Sequence, residues 1–567
     1  MNVKFKAHLF IFSLFFCYNL SAQEIVKGDF KNENPQSSYV PSFDMDATDR
    51  PVKNVILMIG DGMGLAHICS GMYANQGQLT ITNLKTCGFV RTQSANKFTT
   101  DSAASGTAYS TGKKTKNGAL GMDENNQVIP NLPEKLSGYG YISGIVTTDN
   151  LDGATPAAFF AHQPERGMSK EIWADLPNSK LTFFSAGSYE LFEKQAPNVQ
   201  KEIKKEFTII EEPNDKAIKK SKKLGYLPTK SKTASVNENR GDFLPSTTQM
   251  AIDYLSSRST NGFFLMVEGS KVDWAAHGND PVGMATDFLA FDRACGAALE
   301  FARNNGETAV VIVPDHGNSG ISLGRRDCKG YDKLTKDQLF HQFSLYKLTA
   351  EGFANKVNSV PNSEVQNVFR TYAGFELTPE EMNALNNCKD YKNSPIPEDQ
   401  RKPEDNSSMY SGSLTGLMAH IITSRTCFGF TTGGHTGEEV FLAAYHPQGT
   451  LPLGMNTNIE LNEYLCNLFG LTHENLEDLT NKNFARHTDV FEDYTCEIVP
   501  AADEKGSPTL IVKNKKDKKK QLTITPFSNI VKSGKKGQDE IRLNSVVVYV
   551  DKNNTFYLPA SLVDFLK

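Results

Sequence analysis

After residue 22 this chain has no apolar run long enough to cross a bilayer as a helix. It also lacks an excess of one charge. Lys and Arg number 60, Asp and Glu 65, for a formal net charge of -5. That balance argues against nucleic acid as the main partner. It does not exclude a small anionic substrate, because the local field governs such binding. Cysteine is sparse, at nine in 567 residues, and no two stand in a CxxC pair. A thiolate zinc site is therefore not expected. No internal repeat is present.

The exception to the missing apolar runs is the N-terminus. Lys4 and Lys6 precede an apolar stretch over 8–20, and Ser21-Ala22 forms a cleavage site before Gln23. Residues 1–22 thus read as an export signal. Bulky Phe16 before Cys17 argues against a lipid anchor, so no membrane anchor is expected. The mature chain belongs in the periplasm or outside the cell. There, Cys69, Cys87, Cys295, Cys328, Cys388, Cys427, Cys466 and Cys496 can form disulfides, whose pairing sequence does not disclose.

Short apolar runs over 55–59, 142–146, 263–267, 309–313 and 440–444 predict strands buried on both faces. Helical spacing over 247–257 and 281–304 lies between them. The alternation predicts an α/β sandwich with a largely parallel central sheet. Residues 320 to about 411 read as a helical insert, with helical patterns over 334–353 and 378–387 and a polar, proline-bearing stretch over 393–406. Lysine and acids mix over 201–232, which predicts a surface excursion. From about Cys496 to 567, short strands over 522–525, 545–550 and 555–558 predict a small β-rich C-terminal domain. The basic run 513–520 reads as a solvated loop or hairpin tip.

Chemistry gathers behind the strands. The first runs into Gly60-Asp61-Gly62, the third into Glu268-Gly269, and the fourth into Pro314-Asp315-His316-Gly317. Ligands of parallel α/β sheets bind at the carboxyl ends of strands. Asp273 and His277 are four apart, on one face of a helical turn, as a metal pair or a surface ion pair. His435 stands on a glycine-rich loop, TTGGHTGEEV. Oxygen and nitrogen ligands exceed what one ion needs, which fits two transition metals and a harder ion. His67, His162, His420 and His473 lack such context and read as structural or surface groups. Ser102 precedes a run of small residues. It reads either as a helix N-cap or as a nucleophile where a helix N-terminus favours phosphate.

Together, IGDGMG (59–64), TTDSAASGTAYSTG (99–112), GATPAAFFAHQPER (153–166), VEGSKVDWAAH (267–277), VPDHG (313–317) and GGHTGEEV (433–440) resemble the alkaline phosphatases. The resemblance runs over residues 52–447, without the insert. It implies an alkaline-phosphatase-like three-layer sandwich, with residues 23–495 as the catalytic domain. The reaction it implies is hydrolysis of small phosphate monoesters through a phosphoserine on Ser102, at a centre of two zinc ions and one magnesium ion. Asp61, Asp315 and His316 would hold the zinc beside Ser102; Asp273, His277 and His435 the other; Asp61, Glu268 and Thr155 the magnesium. Arg166 would clamp phosphate, positioned by Asp101. A homodimer is a further expectation. Two positions depart from the pattern. Gly153 stands where relatives often carry aspartate or histidine near the third metal, with Asp152 adjacent. Trp274 stands where some bacterial relatives carry lysine. A sulfatase would need a Cys/Ser-x-Pro-x-Arg context, and Ser102 is followed by Ala-Ala-Ser.

Overall fold

The computed structural model describes residues 34–40, 52–84, 86–233, 235–238, 240–402, 412–447, 449, 451–471, 482–501, 506–534 and 537–567. The export signal lies outside the described residues, as does part of the polar stretch of the insert. Twelve strands belong to the catalytic part. They are β1 (Asn54–Gly60), β2 (Gly88–Arg91), β3 (Ile142–Thr147), β4 (Leu181–Ser185), β5 (Thr208–Ile210), β6 (Leu224–Tyr226), β7 (Phe263–Gly269), β8 (Thr308–Val313), β9 (Gly317–Asn318), β10 (His435–Thr436), β11 (Val440–Tyr445) and β12 (Gly454–Thr457). Ten of them form one sheet in the order β12-β2-β11-β8-β1-β7-β3-β4-β6-β5. From β8 to β5 all neighbours run parallel, and β11 pairs antiparallel to β8.

All five apolar runs are strands of this sheet. Their side chains split between two cores, as period-two alternation requires. Val55, Leu57 and Ile59 of β1 join Ala309, Val311 and Val313 of β8 on one face. Ile56 and Met58 join Val310 and Ile312 on the other. The helix Ser102–Thr111 covers the first face, and the helices Phe243–Ser256 and Pro281–Asn305 cover the second. Three layers result. The helix Pro281–Asn305 begins where Asp280 accepts from the amides of Val282 and Gly283, with Pro281 in its first turn, and ends at left-handed Gly306.

The lysine-rich excursion differs from expectation. Its β5 and β6 complete one edge of the main sheet, and Ile210, Leu224 and Tyr226 are buried. Three-residue strands are too short for periodicity to reveal. The helical pattern over 334–353 also breaks, into Lys336–Phe340, a 3-10 turn His341–Leu345, and Ala350–Asn358. Thr349 caps the last of these by accepting from the amide of Gly352, 3.1 Å away. The insert has its own core, which includes Phe353, Phe369 and Leu385 together with Leu417 and Ile421 of the helix Leu414–Ser424. The excursion therefore extends to Gly429. There the chain rejoins its point of departure through paired bonds of 2.8 and 2.9 Å between Ser322 and Gly429. A disulfide between Cys328 and Cys427, 99 residues apart, closes the same loop. A separate seven-stranded antiparallel sheet runs from Ala485–Arg486 to Thr555–Leu558. It begins before Cys496, and the basic run is an exposed hairpin tip between two of its strands.

A buried polar network supports the loop that carries Arg166. His162 Nδ1 lies 2.8 Å from the carbonyl of Gly121, and Nε2 lies 3.0 Å from Glu134 Oε1. Both ring nitrogens face acceptors, so both carry protons. Burial opposes that charge, but the carboxylate of Glu134 and the Gly121 carbonyl outweigh it and raise the His162 pKa to about 9. A folded pKa above the ordinary 6.5 stabilises fully below pH ~6.5, and that stability is lost as pH rises through about 9. Denaturant unfolding across this window should show the native chain losing about 3 kcal/mol. His162→Leu should remove that pH slope and lower stability by about 3 kcal/mol at pH 6 by leaving the buried Glu134 carboxylate without its cation. A parallel slope in the variant would contradict this assignment.

Candidate metal and phosphate site

The parallel strands β8, β1, β7 and β3 lie side by side, with Ile59 in register with both Val313 and Glu268, and Glu268 with Thr147. Their carboxyl ends therefore deliver side chains to one place. Asp61 follows β1, Glu268 is the penultimate residue of β7, and Asp315 and His316 follow β8. The helix Lys271–His277 presents Asp273 and His277, one turn apart. His435 comes from across the insert. It reaches the site because β10 pairs with β9, placing His435 opposite Asn318. Gly62 makes the turn after β1 with φ +64°, and a Cβ there would lie 2.6 Å from Asp273 Oδ1. Its amide donates to Asp315 Oδ1 at 3.0 Å.

Three imidazoles share one arrangement. His277 Nδ1 lies 2.8 Å from the Gly433 carbonyl, His435 Nδ1 3.0 Å from that of Thr100, and His316 Nδ1 3.1 Å from that of Gly317. A carbonyl only accepts, so each Nδ1 holds a proton, and each Nε2 is left as the nitrogen that could offer a lone pair to a cation. The Nε2 atoms point at carboxylates. His277 is 3.3 Å from Asp273 Oδ2, His435 3.6 Å from Asp273 Oδ1, and His316 3.3 Å from Asp315 Oδ2 and 3.5 Å from Asp61 Oδ1. The His316 and His435 rings stack with centroids 3.6 Å apart. Asp273, His277 and His435 form one group able to hold a cation, and Asp61, Asp273 and His316 a second beside it.

Four carboxylates, those of Asp61, Glu268, Asp273 and Asp315, are buried beside three imidazoles. Asp61 Oδ1 and Asp315 Oδ2 are buried without hydrogen-bond partners, as is Thr155 Oγ1. Burial, with the charges of Asp315, Asp273 and Glu268, pushes the Asp61 pKa well above the carboxylate range. Burial, with the charge of Asp149, pushes Glu268 to about 8. Asp273 goes the other way. Its burial is outweighed by its bond to His277 and by the imidazoles around it. Orphaned oxygens, converging imidazole nitrogens and more carboxylates than imidazoles fit a donor set for divalent cations.

Ser102 is buried, with Oγ 3.1 Å from His316 Nε2. It does not cap its helix. Asp101 does so, with Oδ1 accepting from the Ala104 amide at 3.0 Å, and Ser102 is the first helical residue. The hydroxyl is thereby left to face the donor set. Asp101 Oδ2 accepts from the amide of Gly118 at 3.1 Å and from Arg166 Nη1 at 3.3 Å. The half-exposed Arg166 guanidinium stands at the mouth, and the carboxylates lie beneath. Every candidate residue thus falls in this one region.

Sequence reasoning missed the supports. Asn318 Nδ2 donates to Asp273 Oδ1 at 2.6 Å. Thr147 Oγ1 donates to Glu268 Oε2. An asparagine or threonine carries no spacing signal of such a role. His67 is also buried, with neither ring nitrogen hydrogen-bonded, and burial lowers its pKa to about 4.

Comparison with known proteins identifies the family. The alkaline phosphatase family model matches residues 52–190 and 227–471. The gap between those ranges contains β5 and β6. Alkaline phosphatase 4 of Bacillus subtilis is 30% identical over 416 residues, covering 70% of this chain and 84% of that protein. The alkaline phosphatase of Escherichia coli is 29% identical over 337 residues, covering 48% of this chain and 71% of its own length. Among solved structures, the cold-active alkaline phosphatase of Shewanella sp. superposes with a TM-score of 0.63 at 26% identity, covering 73% of this chain and 99% of that one. A histidine-to-glutamate variant of the alkaline phosphatase from the Antarctic bacterium TAB5, with Mg bound in its M3 site, gives 0.55 at 26% identity, covering 75% and 100%. The chain belongs to the alkaline phosphatase family and is a phosphatase.

Proposed function

We propose that this enzyme hydrolyses phosphate monoesters through a phosphoserine on Ser102, at a centre of two zinc ions and one magnesium ion. The observation that carries this reading is the Ser102 hydroxyl, held 3.1 Å from His316 Nε2 at the rim of a buried carboxylate and imidazole cluster. Asp61, Asp315 and His316 would hold one zinc, and Asp273, His277 and His435 the other. Asp61, Glu268 and Thr155 would hold magnesium. Bound divalent cations would lower the proton affinity of a nearby hydroxyl and neutralise charge on leaving oxygens.

The chain's own groups do the rest. Arg166 offers two parallel N–H donors to two phosphate oxygens, and Asp101 holds the guanidinium in place. The N-terminus of the helix Ser102–Thr111 favours the phosphate's negative charge. Ser102 Oγ forms a bond to phosphorus as the bond to the ester oxygen breaks and the alcohol leaves. Water then attacks phosphorus, the Oγ–P bond breaks, and phosphate departs with Ser102 restored. Most of the acceleration is positional and electrostatic. Export to an oxidising compartment accords with the Cys328–Cys427 disulfide. Among the described residues no helix is long and apolar enough to cross a membrane.

Turnover of a generic aryl phosphate monoester against the matching diester tests the substrate class. The monoester should be preferred by at least about a hundredfold in kcat/KM, since one diester oxygen carries a substituent where Arg166 and the helix N-terminus expect charge. A diester preference would overturn the proposal.

A further inference from the structure

The place of the missing side chain at Gly153 is already filled. A Cβ built on Gly153 would lie 2.6 Å from Asp149 Oδ2 and 2.9 Å from its Cγ. The backbone there has φ −57° and ψ 151°, which any residue adopts. Glycine therefore stands at 153 for space, and the space is taken by a carboxylate from four residues upstream. Asp152, the neighbour in sequence, is turned elsewhere, with its Oδ2 accepting from Ser169 Oγ.

The Asp149 backbone is also linked to Glu268, the magnesium ligand of the proposed function. It follows the end of β3, which pairs with β7 so that Thr147 lies opposite Glu268. Thr147 Oγ1 donates to Glu268 Oε2 and accepts from the Asp149 amide at 2.8 Å. Asp149 Oδ1 accepts from the Asn150 amide at 2.7 Å, and its carbonyl accepts from Gly187 at 2.7 Å. The carboxylate is thus pinned at one oxygen, with Oδ2 directed to the Gly153 side. Lys271 places a buried ammonium nearby, over the face of Trp274 and without a hydrogen-bond partner. Asp149 and Glu268 both act on its charge.

We propose that Asp149 is a positioning residue of the magnesium site, placing a carboxylate from the end of β3 in the space left open at Gly153. This rests on the reading that Glu268 and Thr155 hold the third ion. With Asp149 in place, the departure at Gly153 relocates an acid along the chain and leaves the site with its negative charge.

The test is calorimetric titration of magnesium into the full-length, zinc-loaded protein, with metal content checked by elemental analysis. Asp149→Ala should weaken magnesium roughly 10–100-fold, the usual effect of losing an outer partner of a metal site. The double variant D149A/G153D returns a carboxylate to the vacated space and should recover affinity to within about threefold of the parent. Gly153→Asp alone drives its Cβ into Asp149 and should not tighten binding. Glu268→Gln separates the two levels. If Glu268→Gln weakens magnesium and Asp149→Ala does not, Asp149 has no such role and the site assignment stands. If neither weakens it, the assignment of Glu268 fails and this inference with it. Loss in D149A that the double variant does not recover would also overturn the inference, because a purely structural role predicts that result.

Discussion

Ser102→Ala is expected to lower monoester turnover by at least about a thousandfold, the scale seen when a covalent nucleophile is removed. Metal content and fold should survive. The reason is local. Asp101, not Ser102, caps the helix, and the Ser102 side chain has a single partner, His316. Alanine is a better helix former than serine, which offsets part of the lost hydrogen bond, so stability should change by less than about 1 kcal/mol. The group Asp273, His277 and His435 does not involve Ser102 and should keep its ion. Steady-state kinetics with elemental analysis and thermal unfolding checks all three at once. Turnover within tenfold of the parent would remove the covalent step from the account.

Stripping divalent cations with a chelator should reduce turnover to background, and zinc with magnesium should restore it. The protein's carboxylates make the accompanying proton count predictable. Burial and the neighbouring Asp149 raise Glu268 to about 8, and burial with three other carboxylates raises Asp61 as well. Glu268 is therefore largely protonated at neutral pH before a cation arrives. A bound cation requires the ionised forms, so reloading at pH 7 should release at least about one proton per chain. Calorimetry in two buffers of different ionisation enthalpy reads that number. Affinity should weaken as pH falls, because more protons must then be displaced. Full turnover in the stripped protein, or uptake of protons on reloading, would contradict the cluster's role.

The strands that build the site were legible because they are buried on both faces. The runs over 55–59, 263–267 and 309–313 are continuous apolar segments ending in glycine and acid, and three such termini in one chain mark the carboxyl edge of a parallel sheet. The short edge strands β5 and β6 gave no such pattern, since three residues cannot display a period. Candidate ligands were legible as residue types, and their convergence was not. His435 reaches the site only because the insert returns the chain to its departure point and β10 pairs with β9, a long-range fact. The cap was open in the sequence, because Asp101 and Ser102 are both good capping residues, and the backbone geometry selects Asp101. Asp149 was invisible for a related reason. Its closeness to Gly153 comes from the turn after β3, whereas Asp152, the neighbour in sequence, turns to Ser169.

The central claim is a covalent phosphate on one hydroxyl, and rapid acid quenching during turnover of a phosphate monoester tests it most directly. The quenched protein is digested and its phosphopeptides are sequenced by mass spectrometry. The account predicts a single labelled peptide containing the stretch from Thr99 to Gly112, with phosphate on Ser102 and none in Ser102→Ala. Label on another residue, or an unlabelled parent enzyme turning over at full rate under quench conditions that preserve phosphoserine, would contradict it.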